Sequence, residues 1–267
     1  MALTFCSLAS GSSGNCQFVA SDKTKLLVDA GMSGKYIKQS LSNIDIDINS
    51  INGILLTHEH TDHISGLGVL MRRHNIPLYV TAKTWEAIIA KVGKIDMNLL
   101  HIYDTIDMLE VGDITVQSAR ISHDAVDPLC YAFISGRSKV AIATDLGMIT
   151  NEVVEKFKDS DLLMIESNHD IEMLKMGKYP MYLKRRILSE VGHLSNEDAG
   201  YFAKEIIEFG SAKHILLAHL SKENNVPELA YETVRGILEV ANIHSGIDIS
   251  LDLTYRDKVG RCYKLVK

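Results

Sequence analysis

The chain has no Cys-x-x-Cys pair, and its four cysteines, Cys6, Cys16, Cys130 and Cys262, are scattered. Thiols placed this way point to a reduced, cytoplasmic protein rather than a disulfide framework. The first basic residue is Lys23, so no charged region precedes an apolar segment and no signal peptide is expected. No apolar run approaches the roughly 18 residues that a membrane helix needs. Long linkers, low-complexity tracts and solenoid repeats are missing too. A basic excess is also lacking. The net charge of −6 argues against a protein that coats nucleic acid non-specifically, although bound divalent cations would add positive charge that this count omits.

What is present starts with length. A chain of 267 residues buries a substantial core, and we read it as a single domain over 1–267. The most informative stretch is Thr57-His58-Glu59-His60-Thr61-Asp62-His63, in which three histidines and one aspartate fall within six residues. It follows the β-type run Ile54-Leu55-Leu56 and precedes a helical pattern from Leu67 to His74, which puts it on a loop leaving the end of a buried strand. A polar surface turn is the competing account, but unligated histidines rarely crowd so tightly. Imidazole and carboxylate suit Zn, Mn, Fe or Ni. Alternate residues of the loop can face one point while Asp62 and His63 face a second, so two ions are expected.

The remaining ligands should also stand at strand ends. His123 follows Ser118 to Ser122, Asp145 ends Ala141 to Thr144, and His219 ends Ile215 to Ala218. A turn histidine or a helix-capping aspartate would explain each alone. Together they complete two shells: His58, His60, His123 and Asp145 for one metal, and Asp62, His63, Asp145 and His219 for the other. Asp145 bridges. Two ions about 3.5–4 Å apart can share a hydroxide and clamp the oxygens of a substrate. His74, His101, His214 and His244 are expected to be structural or exposed.

Coarse patterning gives strands near Leu3, Gln17, Lys25, Ile54 and Pro77. A strand pair fills Ile106 to Ile121, a hairpin joins Tyr131–Ile134 to Val140–Ala143, and strands lie at Asp161–Ile165 and Ile215–Ala218. Helices are expected near Lys35–Leu41, Thr84–Val92, Glu152–Phe157, Met181–Glu190, Asn196–Phe209 and Pro227–Ala241. Two mixed sheets packed face to face with helices outside fit this order.

The His-x-His-x-Asp-His run, with His123, Asp145 and His219 in that order, resembles the metallo-β-lactamase superfamily. The resemblance covers essentially the whole chain. It implies an α/β fold, a four-layer αββα sandwich with its metal site at the edge of both sheets, and Asp29 as a group that steadies the metal loop. Three further stretches narrow it: Ser7 to Asn15, Glu166-Ser167-Asn168-His169-Asp170, and Gly192-His193-Leu194-Ser195-Asn196. They resemble the YycJ-like (WalJ-type) branch, which implies a DNA exonuclease working from 5′ ends. Between Asp145 and His219 there is no room for the large inserted domain of the RNA-processing branch.

These stretches have physical readings of their own. Ser10 to Asn15 is a glycine-spaced hydroxyl loop that can offer N–H groups to a phosphate. His193 precedes a helix N-terminus and can protonate a leaving oxygen, with Glu166 orienting it. Asp62, His193 and Glu166 are the expected catalytic groups. Ser12, Ser13, Asn15, Asn168, His169 and Ser221 are the expected substrate contacts. Lys175, Lys178, Lys184, Arg185 and Arg186 form either a solvated face or a phosphate track. The resulting expectation is a dinuclear phosphodiesterase using Zn or Mn, with Fe or Ni as alternatives, and DNA as its partner. A small-molecule hydrolase of a thioester, lactone or cyclic phosphodiester is the alternative, and a non-catalytic metal-stabilised module is the rival of another class.

Overall fold

The computed structural model describes residues 2–103, 108–210 and 212–266. Its first half runs β1 (Leu3–Ala9), β2 (Cys16–Ala20), β3 (Lys25–Val28), α1 (Gly34–Ser42), β4 (Gly53–Leu55), α2 (Thr61–Ile64), α3 (Leu67–His74), β5 (Leu78–Val80), α4 (Ala82–Val92) and β6 (Leu100–Ile102). The second half runs β7 (Leu109–Val111), β8 (Ile114–Arg120), β9 (Leu129–Ser135), β10 (Ser138–Ala143), α5 (Asn151–Phe157), β11 (Leu162–Glu166), α6 (Ile171–Met176), α7 (Met181–Ile187), α8 (Asn196–Phe209), β12 (His214–Ala218), α9 (Pro227–Val240), β13 (Ser250–Leu253) and β14 (Cys262–Leu265). Among the described residues these strands form two sheets, ordered β14-β1-β2-β3-β4-β5-β6 and β13-β12-β11-β10-β9-β8-β7.

Strand alternation sorts the core into three layers. Leu3 and Phe5 of β1 point between the sheets, where they join Leu26, Tyr131, Phe133 and Ile142. Cys6 and Leu8, of opposite parity, face Ile37, Leu41, Leu70 and Ile88 of α1, α3 and α4. The second sheet likewise packs its outer face on Phe157, Phe202, Ile206, Val234 and Leu238 of α5, α8 and α9. Burying each Leu, Ile or Phe contributes about 1.5–3 kcal/mol, so both sheets are held on two faces. This is the expected αββα sandwich.

Most element expectations hold, with informative differences. The helix expected over Met181–Glu190 stops at Ile187. The chain folds back there, with His193 N–H donating to Ile187 O, and a Cβ at Gly192 would lie 2.2 Å from that same oxygen. Helix α6 was not anticipated; Asp170 caps it by accepting from the Met173 N–H. In the strand pair expected over Ile106–Ile121, Ile106 lies outside the described residues, and the pair itself is β7 and β8.

Strands β3 to β6 run parallel to one another, as do β10 to β13. The carboxyl ends of β3, β4, β8, β10, β11 and β12 therefore release Asp29, His58, His123, Asp145, Glu166 and His219 towards one edge of the sandwich, the place where ligands gather in open α/β sheets.

Candidate metal centre

Three groups of potential ligands cluster at this edge, with ligand atoms in each group within 4.8 Å of one another. They are His58, His60 and His123; His58, His63 and Asp145; and Asp145, Glu166, His193 and His219. The structure thus brings together six of the seven expected ligands in these groups. Asp62 stands beside them, its carboxylate 3.7 Å from His63 Nε2 and 4.0 Å from His219 Nε2.

The histidines are aimed by what holds their other nitrogen. His63 Nδ1–H donates to Asp29 Oδ2 at 2.8 Å, and His219 Nδ1–H to Glu166 Oε1 at 2.7 Å. His123 Nδ1–H donates to the Gly192 carbonyl at 3.2 Å. Thr57 donates its hydroxyl to Asp29 and takes the His58 Nδ1–H at 2.9 Å. The Nε2 atoms of His58, His123 and His219 are left for the centre, the arrangement that fixes tautomer and ring angle at metal sites, while that of His63 meets the Asn15 amide at 3.0 Å. His58 Nε2, His123 Nε2, His219 Nε2 and Asp145 Oδ2 are all buried without a well-aligned hydrogen bond, Asp145 Oδ2 having only His63 Nε2 beside it at 3.2 Å. An unpaired buried polar atom costs about 1–3 kcal/mol, and here four converge. That orphaned set fits divalent metal ions.

Charge points the same way. Burial resists ionisation of Asp145, yet His219, His63 and His58 outweigh it and hold the carboxyl well below its usual range. Burial also opposes charge on His219, but Asp145 and Glu166 raise it to about 9. At His58 burial and the neighbouring His63, His123 and His60 outweigh the pull of Asp145 and drive it well below the ordinary histidine value.

Backbone conformation contributes too. Asp29, Asp145 and His219 all have left-handed φ, at 62°, 60° and 54°. This region disfavours residues with a Cβ and is met most often with Asn, Asp or His. Such strain concentrates at functional sites. Close approach matters at Gly31, where a Cβ would lie 1.6 Å from the Asp62 carbonyl.

The expected catalytic pair is in contact, with His193 Nδ1–H donating to Glu166 Oε1 at 2.8 Å. Burial works against its charge, but Glu166 and Asp145 raise it above the ordinary histidine value. Glu166 itself is held at about 2, the two histidines outweighing burial.

The expected substrate contacts divide. Ser12 and Ser13 are exposed and Ser221 is half-buried. Asn15 is buried: its Oδ1 takes the Gly11 N–H and its amide reaches Asp62 and His63, so it steadies the metal loop. The N–H groups of Ser10, Gly14 and Asn15 are also bound internally, which leaves less of this loop for a phosphate than its glycine spacing suggests. Asn168 donates to His219 O and accepts from Ser221 N–H. His169 is 1% exposed, with both ring nitrogens unpartnered. The basic stretch is largely spent: Lys184 is buried and donates to Lys175 O, Lys175 pairs with Glu172, and Arg186 pairs with Asp124. Lys178 and Arg185 are exposed.

Sequence reasoning missed several supports. Tyr131 donates to the Leu56 carbonyl at 2.6 Å, Tyr103 bonds to Tyr131 beneath it, and Ser10 Oγ takes the His219 N–H. Thr57 was adjacent to a marked residue and could have been suspected; the tyrosines carry no local signal.

The profile of the β-lactamase superfamily domain matches residues 24–220. The chain is 46% identical over 239 residues to the exodeoxyribonuclease YycJ of Bacillus anthracis, with 90% of each chain covered. It is 42% identical over 248 residues to the exodeoxyribonuclease WalJ of Streptococcus pneumoniae, with 91% of each covered. The metallo-β-lactamase fold protein YhfI from Bacillus subtilis shares the fold at a TM-score of 0.72 and 17% identity, over 98% of this chain and 99% of that one. The fold, the ligand cluster and these matches agree: the chain belongs to the metallo-β-lactamase superfamily and, within it, to the YycJ-like branch.

Proposed function

We propose that this chain, acting as one domain, is a metal-dependent phosphodiesterase that degrades DNA as an exonuclease from 5′ ends. The observation that carries the reading is the set of orphaned buried ligand atoms lying beside a histidine held by a carboxylate. Its relatives named exodeoxyribonucleases over nine-tenths of their length support DNA as substrate.

Two divalent ions, Zn or Mn, would be held by His58, His60, His123 and Asp145 and by Asp62, His63, Asp145 and His219. Such ions, when bound, polarise a phosphodiester and make water nucleophilic near neutral pH. The chain's own groups do the rest. Asp29 and Thr57 keep His58 and His63 in register. Glu166 fixes His193 and favours its protonated form, so Nε2 holds the proton that a leaving oxygen needs. Ser12, Ser13 and Ser221, which are exposed or half-buried, would offer their hydroxyls to a phosphate.

The spent basic stretch favours one rival, a small-molecule hydrolase of the same fold. Duplex DNA labelled at either end, assayed beside a small phosphodiester with Mn, Zn and Mg, separates the two. Labelled mononucleotide should be released first from the 5′ end. Turnover of the small ester with every DNA intact would assign the rival instead.

A further inference from the structure

Cys6 and Cys262 sit at opposite ends of the chain but face each other in the fold. Strand β1 pairs antiparallel with β14, in register Leu3↔Leu265, Thr4↔Lys264, Phe5↔Tyr263 and Cys6↔Cys262. Residues directly opposite in such a pair project to one face with Cα atoms about 4.5–5.5 Å apart, inside the span of about 4.4–6.8 Å that a disulfide needs. The Cys6 thiol donates to the carbonyl of Gly260 at 3.6 Å, two residues before Cys262 on the segment that enters β14.

Their surroundings differ. Cys6 is fully buried among Leu8, Phe18 and Ile37. Cys262 is exposed, so only it can meet a co-reactant. The neighbouring Cys6 draws Cys262 down to about 7, while Cys262 and burial push Cys6 up. A thiol near ambient pH is the better attacking group. Cys16 and Cys130 are buried, and burial pushes both thiols up, so they serve as internal controls.

We propose that Cys6 and Cys262 are a redox-active dithiol, a modification site that takes a low-molecular-weight disulfide and closes into a cross-strand disulfide. The Cys262 thiolate attacks one sulfur of the small disulfide, whose S–S bond breaks and releases one thiolate. The Cys6 thiol gives up its proton and attacks the Cys262 sulfur, expelling the second thiolate. Two protein thiols are oxidised and one small disulfide is reduced to two thiols. The bond would tie β14 to the strand that leads into Ser10, already linked to the C-terminal segment through Gly260 N–H to Ser7 O and Ser10 N–H to Tyr255 O. Being at an exposed sulfur, it should be readily reduced again.

The test treats the purified protein with oxidised glutathione and follows thiol count and intact mass. Wild type should fall from four thiols to two, lose the mass of two hydrogens, retain no glutathione and recover with dithiothreitol. Peptide mapping should join Cys6 to Cys262. Cys6→Ser should hold one glutathione on Cys262. Cys262→Ser, altered at an exposed position, should take up none and keep all its thiols. Glutathione retained on Cys262 of wild type, unchanged thiols in wild type, or a link through Cys16 or Cys130 would overturn the proposal.

Discussion

The metal centre and the basic stretch from Lys175 to Arg186 are the two most conspicuous polar regions of this chain, and they differ in what they have left to give. At the centre, three imidazole nitrogens and a carboxylate oxygen are buried and unpartnered. In the basic stretch, Lys184 is bonded to a backbone carbonyl and Arg186 and Lys175 are paired with acids. Both look functional in one dimension. Unspent bonding capacity is what separates a place that waits for a ligand from one that already holds the fold together: Lys184 and Arg186 pin α7 to α6 and to the loop after His123.

The sharpest way to break this contrast is to remove the carboxylate of Asp145, which stands in two of the three ligand groups. Asp145→Ala should lose bound metal and nearly all activity, as read by elemental analysis and DNA hydrolysis; retained metal at full activity would mean that Asp145 is not a ligand. His193→Ala should lower kcat roughly 10²-fold or more, the scale of a lost general acid, with metal content near wild type. Loss of metal along with activity would instead make His193 a ligand or a structural group. Asp29→Asn keeps the shape but weakens the hold on His63 and Thr57, and metal affinity should drop about 10–100-fold, measured by competition with a chelator. An unchanged affinity would leave Asp29 as a turn residue only. The smallest effect is expected from the other region. Arg185→Ala should flatten the salt dependence of DNA binding by about one phosphate contact at most, and Arg186→Ala by less. A loss of several contacts from Arg186→Ala would restore the stretch as a phosphate track.

The clustering of the loop was legible in the sequence because its chemistry is local: His58, His60, Asp62 and His63 fall within six residues, and the strand before them is marked by apolar patterning. His123, Asp145 and His219 needed one more idea, that strand ends meet at one edge, and that idea rests on parallel strand topology. The αββα order was legible for the same reason. What could not be read is contact across the sheets. Nothing near Tyr131 indicates that its hydroxyl supports Leu56, and nothing near Cys262 indicates that Cys6 is opposite. The serine and glycine spacing of Ser10–Asn15 suggested open donors, whereas the fold bonds the N–H groups of Ser10, Gly11, Gly14 and Asn15 internally. Lys184 gave no sign of burial, because Arg185 and Arg186 follow it and its carbonyl acceptor is backbone.

The most direct test is metal content measured beside activity. Protein purified without chelator should carry about two divalent ions per chain, lose them and its DNA hydrolysis together on chelation, and regain both with Zn or Mn. A preparation with no bound metal and full activity would contradict the account.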